Sequence, residues 1–163
     1  MTVSASDFKT ALACWPSGVT VVTTLDGILP RAITVSAFTS VSLEPPLVLV
    51  SVNNDSLVLP SITTSRVFTI NILDRVQADV SRACANHDRE GMSGVAHTVG
   101  ANGCARIDGA LAHLECHLHA TVEAGDHHLT IGLVTNASST RSAPLLYWSR
   151  QYGDFTPHNK PGV

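Results

Sequence analysis

The first hydrophobic pattern in the chain has the period of an amphipathic helix. Ser6 or Asp7 can serve as its N-cap, and the Pro-Ser-Gly run at residues 16–18 ends it. We therefore predict a short helix at the start of the chain. The residues that recur on its apolar face, at intervals of three or four, are Phe8, Ala11, Leu12 and Trp15.

Beyond this helix, β-branched and apolar residues gather in short runs that are separated by turn residues, as is typical of strands. An Asp-Gly pair at residues 26–27 predicts a hairpin turn after the first run. The predicted strands cover residues 19–25, 31–38, 47–52, 67–73, 114–122, 128–138 and 145–148.

Two more short helices and one long loop complete the pattern. One helix is predicted at residues 56–65, and a second begins at an Asp74 cap and continues to about residue 85, with Val76 on its inner side. Residues 86–109 are rich in Gly, His and Asn and are predicted to form a loop with at most one short strand. Loops of that length inside a compact domain usually have a function.

These elements predict a mostly β fold with minor α content. Six or seven antiparallel strands with two or three short helices favour a closed barrel over a parallel sheet. A length of 163 residues suits one domain, which we assign to residues 1–155, followed by a flexible C-terminal tail at 156–163.

Composition excludes several classes of protein. Hydrophobic residues make up 44% of the chain and charged residues 14%, which favours a folded core over disorder. The net charge is −3 and no basic block occurs, so we expect no nucleic-acid partner. The longest nearly apolar run, residues 47–52, is far shorter than the roughly 20 residues of a membrane helix. The N-terminus has no secretory-signal pattern, and we expect a cytoplasmic protein without a membrane partner.

The cysteines support the same compartment. Their spacing is irregular and contains no C-x-x-C motif, so we interpret them as reduced thiols and not as a disulfide framework. A thiol nucleophile is the alternative, although no His is placed next to a Cys in a way that favours it. The four residues are Cys14, Cys84, Cys104 and Cys116.

A histidine cluster lies on the predicted strand at residues 114–122. Its apolar face would consist of Leu114, Cys116, Leu118, Ala120 and Val122. The opposite face would carry Glu115, His117, His119 and Thr121, with His113 just before the strand. Neighbours on one face lie about 7 Å apart, which makes zinc binding geometrically possible. We favour a solvated outer face and expect no metal site.

Several common catalytic motifs are absent from the sequence. It contains neither a G-x-G-x-x-G dinucleotide fingerprint nor a P-loop, and neither G-x-S-x-G nor H-E-x-x-H. Two weaker signals remain. Small residues dominate residues 31–42, which would let the backbone approach a planar ligand, and Asp126 can orient an imidazole in the A-G-D-H-H run at 124–128.

Taken together, six blocks resemble the short-chain flavin reductases, whose fold is an FMN-binding split β-barrel of Greek-key topology. Many members are reductase components of two-component flavin-dependent monooxygenases. The resemblance extends over residues 8–152. The blocks are PSGVTVVTT at 16–24, ITVSAFTSVSLEPPL at 33–47, FTINIL at 68–73, GALAHLEC at 109–116, AGDH at 124–127, and PLLY at 144–147 followed by Arg150 and Tyr152.

The resemblance implies a homodimer with flavin bound along the barrel, near the subunit interface. It also assigns roles to individual positions. Thr34, Val35, Ser36 and Ala37 would contact the isoalloxazine edge. The ribityl chain and phosphate would follow Ser51, Val52, Asn53, Ser56 and Leu57, with Ala85, Asn86 and Arg89 on the phosphate side. His127, the expected catalytic residue, and Tyr152 would line the nicotinamide face.

Three positions depart from the family pattern. Ala32 replaces a common Gly, Cys84 stands where Phe is usual, and Asn86 replaces a second Gly. The first change is small. The other two lie on the phosphate side, next to the contacts expected of Asn86 and Arg89.

The activity that the resemblance implies is NAD(P)H:flavin oxidoreduction. A hydride would pass from NADH or NADPH to FMN or FAD, and the reduced flavin would go to a partner monooxygenase. The rings would be held about 3–3.5 Å apart, so orientation would be the main contribution of the protein. The alternatives are a tight flavin-binding protein that reduces metal complexes and a non-catalytic barrel that binds flavin or haem.

Overall fold

The structure of the chain, a computed structural model, describes residues 2–85 and 92–156. The predicted tail therefore falls outside the described residues, apart from Thr156. The helices are α1 (Ala5–Leu12), α2 (Val58–Ser65) and α3 (Ala78–Cys84). The strands are β1 (Ser17–Gly18), β2 (Thr20–Asp26), β3 (Leu29–Val35), β4 (Phe38–Ser42), β5 (Leu47–Asn53), β6 (Val67–Ile72), β7 (His97–Val99), β8 (Ala105–Ile107), β9 (Ala112–Ala124), β10 (His127–Ser139), β11 (Leu145–Trp148) and β12 (Gln151–Asp154).

Seven of these strands form one antiparallel sheet in the order β3-β2-β6-β9-β10-β5-β4. The two strands at the ends of this order, β3 and β4, are joined by Ser36 and Ala37 alone, so the sheet must curl until its ends meet. The mostly β, antiparallel fold with three short helices is thus confirmed among the described residues.

The barrel interior is filled by aliphatic residues around one aromatic ring. Phe68 on β6 is fully buried and packs with Val22, Val50 and Ile70. Helix α2 contributes Ile62, also fully buried, to the same cluster. Strand β5 alternates between buried and half-buried positions, so its second face remains available outside the barrel.

A second core lies outside the barrel wall, and it explains why β2 is buried on both faces. All five residues from Thr20 to Thr24 are buried. Val21 belongs to the outer cluster, with Leu73, Ile107 and Leu145. This cluster is covered by α3, by the small β7-β8 sheet and by the β1-β11-β12 sheet.

Polar bonds attach this outer layer to the barrel. The Asn71 side chain donates to Val21 O at 3.0 Å and accepts from Ile107 N at 2.8 Å. The Thr23 hydroxyl donates to Ala105 O. Because all these groups are buried, each bond satisfies a donor or acceptor that would otherwise be costly to bury.

The N-terminal helix forms, but its cap and its environment differ from the prediction. The N-cap is Ser4, two or three residues earlier than predicted, and its hydroxyl accepts from Asp7 N at 3.1 Å. The predicted inner face is exposed, with Phe8 at 53%, Leu12 at 54% and Trp15 at 75%. Helix α1 therefore presents an apolar stripe that the described residues do not cover.

Two other predicted elements have different bounds. The strand expected at residues 31–38 stops at Val35, and β4 begins only at Phe38. The helix expected from Asp74 begins at Ala78, because Asp74 forms a turn in which its carboxylate accepts from Val76 N at 3.1 Å. Val76 is accordingly 80% exposed and does not lie on an inner face.

The loop predicted at residues 86–109 contains two strands in its described part, because β7 pairs with β8. The residues that follow β7 cover Glu115, which was expected on a solvated face but is only 2% exposed. Asn102 N and Asn136 Nδ2 donate to its carboxylate at 2.9 and 3.2 Å, and Arg106 lies 3.8 Å away. Among the described residues, no helix has the length and apolar character needed to cross a membrane.

Candidate functional site

The site is organised around the two-residue break between β3 and β4. Ser36 and Ala37 are both exposed. The Ser36 carbonyl accepts from Phe38 N at 3.1 Å, and the Ala37 carbonyl accepts from Ser51 N at 3.0 Å, which ties the bend to β5. Because both side chains are small, a ligand can approach the main chain closely at this point.

A cavity of about 600 Å³ opens on one side of the bend, between α1, β4 and the hairpin of β11 and β12. That volume falls in the range of small-molecule sites. Lys9 and Arg150 supply positive charge at a mostly apolar wall. The lining consists of Lys9, Leu12, Ala13, Trp15, Ser17, Ser36, Ala37, Phe38, Thr39, Leu49, Tyr147, Trp148, Ser149 and Arg150.

The hairpin that borders this cavity has an unusual backbone. Ser149 and Arg150 both have positive φ, at 48° and 64°, in a turn of two residues between Trp148 and Gln151. Two successive left-handed residues are what a type I′ turn requires, although Asn and Gly are preferred there. Trp148 Nε1 donates to Cys14 O at 3.3 Å, which fixes the hairpin against the end of α1.

A smaller cavity of about 180 Å³ lies on the other side of the bend. It shares Ser36 and Tyr147 with the larger cavity, so the two spaces meet at the β3–β4 break. Its lining is Val19, Thr34, Ser36, Ser81, Ala85, Tyr147 and Tyr152. The structure therefore brings together four of the residues to which the resemblance assigns cofactor or nicotinamide roles: Thr34, Ser36, Ala85 and Tyr152.

Tyr152 is held in place by contacts on several sides. Its hydroxyl lies 2.8 Å from Ser81 Oγ, and the Arg82 guanidinium lies 5.0 Å from the centre of its ring. The ring of Tyr147 meets it edge-on at 5.4 Å. Thr34 donates its hydroxyl proton to Ser81 O at 2.7 Å, so toward a ligand this hydroxyl can only accept.

Outside the barrel, one face of β5 leads from the larger cavity to His127. Leu49 lines that cavity, and Ser51 and Asn53 follow at two-residue steps, each about 7 Å along the strand. In the register of β5 with β10, Asn53 is paired with His127. Of the predicted ribityl residues, Ser51 and Asn53 therefore share one sheet face with His127.

The imidazole of His127 is oriented by the residue before it. Its Nδ1 lies 2.7 Å from Asp126 Oδ1, and its side chain is 40% exposed. Because a carboxylate accepts, Nδ1–H is the donor and Nε2 of a neutral ring is left as an acceptor. The hydrogen bond from His127, and then its charge, lower the pKa of Asp126.

Four predicted residues have their side chains in other places. Val35 and Val52 belong to the barrel core, at 6% and 1% exposure, so only their main chain can reach a ligand. The Ser56 hydroxyl is buried and accepts from Val58 N at 3.2 Å. Leu57 is exposed and lines a separate cavity of about 320 Å³ beside α2. Asn86 and Arg89 lie outside the described residues.

A family model described as a flavin reductase like domain matches residues 12–156. The chain belongs to this family. A relative from Thermus thermophilus, the reductase component of 4-hydroxyphenylacetate 3-monooxygenase, is 40% identical over 146 residues, which are 89% of this chain and 93% of the relative. An NADH-dependent FAD reductase of Streptomyces globisporus is 40% identical over 154 residues, covering 91% and 84% of the two chains.

A solved structure agrees with this assignment. The NADH:FAD oxidoreductase of Streptomyces globisporus C-1027, in complex with NAD and FAD fragments, superposes with a TM-score of 0.91 at 33% identity. The alignment covers 98% of this chain and 99% of that one. The resemblance read from six sequence blocks is thus confirmed at the level of family and fold.

Sequence reasoning missed part of the lining of the two cavities. Ser81 and Tyr147 contact Tyr152 or Thr34, and Trp15 and Trp148 line the larger cavity. Trp15 was assigned to the apolar face of a helix, where a buried position was the expectation. Its exposure, like that of Trp148, could be recognised only once the neighbouring elements were in place.

The histidine cluster does not come together as a metal site. His113 Nε2 lies 2.9 Å from Ile107 O, and its Nδ1 lies 3.4 Å from Arg106 Nη2, so the ring joins β9 to β8. His117 and His119 are exposed. No group of three or more metal-ligating side chains occurs within residues 2–85 and 92–156.

Proposed function

We propose that this chain is an NAD(P)H:flavin oxidoreductase that reduces FMN or FAD and supplies the reduced flavin to a partner monooxygenase. The observation that carries the proposal is the pair of cavities that meet at Ser36, on the bend between β3 and β4. Relatives named as NADH-dependent FAD reductase and as the reductase component of a monooxygenase support it.

The residues present fit a flavin. A planar, largely apolar ring system needs a cleft with small residues on one side and aromatic or aliphatic walls on the others. Ser36 and Ala37 provide the small side, and Phe38, Trp15 and Trp148 provide aromatic walls. Lys9 and Arg150 can meet the charge of a phosphate. When bound, the flavin and the reduced nicotinamide supply the hydride chemistry.

The chain itself contributes orientation more than acid–base chemistry. The main chain at Ser36 and Ala37 supports the ring, and Ser51 and Asn53 supply polar groups along β5. His127 presents Nε2 as an acceptor for an amide N–H such as that of a nicotinamide carboxamide. Tyr152 closes the smaller cavity with its ring. Holding two reactants in register contributes a large share of catalysis in reactions of this type.

We propose NADH as the donor, because several relatives are named as NADH-dependent. The flavin is FMN or FAD, since relatives named for each are similar to this chain.

The proposal includes a homodimer and an oxygenase partner. An exposed apolar stripe is formed by Phe8 and Leu12 on α1 and by Trp15 just beyond it. Leu12 and Trp15 line the larger cavity, and the stripe supports a second copy as its cover. The name of the Thermus relative supports the oxygenase. We place the protein in the cytoplasm, where the free thiols of Cys14, Cys104 and Cys116 would stay reduced.

The test is the loss of NADH or NADPH absorbance with purified protein, with and without added FMN, FAD or riboflavin. We expect oxidation that depends on the added flavin. The substitution Ala37→Leu places a larger side chain at the bend and should raise the KM for flavin, whereas Ala137→Leu, on the exposed part of β10, should leave it unchanged. Absence of oxidation with every donor and flavin would overturn the proposal and favour a non-catalytic flavin- or haem-binding barrel.

A further inference from the structure

One residue outside the predicted site makes three bonds to the turn that carries His127. Asn54 follows the last residue of β5. Its main-chain N–H donates to Asp126 O at 3.0 Å, and its Nδ2 donates to Gly125 O at 3.3 Å. Its Oδ1 accepts from His128 Nδ1 at 2.8 Å. The three bonds reach three different residues of the segment 125–128.

The turn has little other support. It connects β9 to β10, and Gly125 adopts a positive φ of 66° at its tip. Glu123, Ala124 and Asp126 are all exposed, so no core packing fixes the segment. Beyond the pairing of β10 with β9 and with β5, which begins at His127, the hydrogen bonds that hold the main chain of the turn come from Asn54.

His127 lies between two of the residues that Asn54 holds. On one side is Asp126, whose carboxylate accepts from His127 Nδ1 but whose side chain is 89% exposed. On the other side is His128, whose ring is fixed by Asn54 Oδ1. An exposed carboxylate can orient an imidazole only if its own backbone is held, and Asn54 bonds to the carbonyl of that same residue.

We propose that Asn54 is a positioning residue for His127, acting through the turn at residues 125–128. The inference rests on the proposed function, because it assigns to Asn54 the nicotinamide-side geometry of that site. Asn54 does not touch the reacting groups. It holds the direction in which Nε2 of His127 points, so its loss should affect the nicotinamide and leave the flavin unaffected.

The first experiment measures kinetics in two backgrounds. Asn54→Ala keeps the main-chain bond to Asp126 O and loses the two side-chain bonds, to Gly125 O and His128 Nδ1. It should raise the KM for the nicotinamide about five- to tenfold and leave the KM for flavin unchanged. In a His127→Ala background the same substitution should have no further effect, since there is no imidazole left to position. An equal effect in both backgrounds would overturn the proposal.

A conservative variant separates positioning from simple loss of structure. Unlike Asn54→Ala, Asn54→Asp keeps an acceptor for His128 Nδ1, while a carboxylate oxygen that cannot donate replaces the amide group that bonds to Gly125 O. The KM of this variant for the nicotinamide should be close to the wild-type value. Thr63→Ala, an exposed substitution on α2, serves as the control for a general change in stability.

The second experiment needs no activity. Long-range ¹H–¹⁵N spectra of the imidazoles should show Nδ1–H on both His127 and His128 in the wild-type chain. In Asn54→Ala, His128 should revert toward the Nε2–H tautomer, and the His127 signals should average toward those of a free ring. Unchanged spectra would overturn the positioning role. A wild-type chain that oxidises no nicotinamide but shows these shifts would refute the proposed function alone.

Discussion

The hydroxyl of Tyr152 lies 2.8 Å from the hydroxyl of Ser81, which joins the last described strand to helix α3 across the smaller cavity. The same ring carries Arg82 above it and Tyr147 at its edge. The ring therefore has three contacts, of which only one depends on the hydroxyl.

Because only one contact depends on the hydroxyl, two substitutions can measure the contributions of the ring and of the hydroxyl separately. Tyr152→Phe removes one partly buried hydrogen bond and keeps the aromatic contacts, so we expect about a twofold rise in the KM for the nicotinamide. Tyr152→Ala removes the whole wall of the cavity and should raise it about tenfold. Ser81→Ala should raise this KM by the same factor as Tyr152→Phe, because both substitutions remove the same hydrogen bond. Equal values for the Phe and Ala variants would mean that the ring itself contributes nothing.

His127→Ala should raise the KM for the nicotinamide and lower turnover while the fold stays intact. The imidazole is exposed enough that its removal leaves no cavity, and its bond to Asp126 lies on the surface. His119→Ala is the matched control, because His119 is an exposed histidine on the neighbouring strand β9. Steady-state kinetics with NADH test the change in KM and turnover, and thermal melting of both variants tests whether the fold is intact. Unchanged kinetics for His127→Ala would remove it from the mechanism.

Sequence periodicity predicted most strands and missed the features that build the site. The clustering of β-branched and apolar residues located β5, β6, β9 and β10 within a few residues. It could not show that the run at residues 31–38 breaks at Ser36 and Ala37, since both residues are compatible with a strand. The break results from closing the barrel, which is a long-range constraint.

The burial of Glu115 and the exposure of Trp15 have a similar origin. Glu115 follows a clean alternation that predicts solvent, but residues that follow β7 fold over it and supply Asn102 N–H. Trp15 follows a clean helical period that predicts burial, but it lies beyond the end of α1, and no described element covers it. The periodicity of apolar and polar residues indicates on which face of an element a residue lies. Whether that face is buried depends on tertiary packing.

Gly132 on β10 is required by a close approach inside the barrel. A Cβ built there would collide with the Phe68 ring and lie 2.9 Å from Cys116 Cβ, and both neighbours are fully buried. We expect Gly132→Ala to lower the free energy of unfolding by about 1–3 kcal/mol, as overpacking of a core does. Gly18→Ala, which meets nothing within 4 Å, should change it little. Urea denaturation measures both, and equal midpoints would contradict the account.

Thr130 presents the opposite case, a buried group without a partner. Its side chain is fully buried, and its hydroxyl makes no hydrogen bond among the described residues. Thr130→Val removes the unsatisfied hydroxyl at nearly constant volume and should raise the free energy of unfolding by about 1 kcal/mol. Thr23→Val should instead lower the free energy of unfolding, because the Thr23 hydroxyl donates to Ala105 O and this hydrogen bond would be lost. A loss of stability in Thr130→Val would indicate a partner that the geometry does not reveal.

Burial raises the pKa of the Cys104 and Cys116 thiols to about 12 each, well above the roughly 8.5 of an exposed thiol. Between those values the unfolded chain releases protons that the folded chain retains, so the free energy of unfolding must fall as pH rises above about 9. Cys104→Ala and Cys116→Ala should each flatten this slope, whereas Cys14→Ser should not, because Cys14 is exposed. Urea melts from pH 8 to 10.5 give the slopes.

With a thiol reagent at pH 8, Cys14 should react in the native protein, and Cys104 and Cys116 only after unfolding. Rapid modification of either buried thiol without unfolding would contradict the burial on which the slope depends.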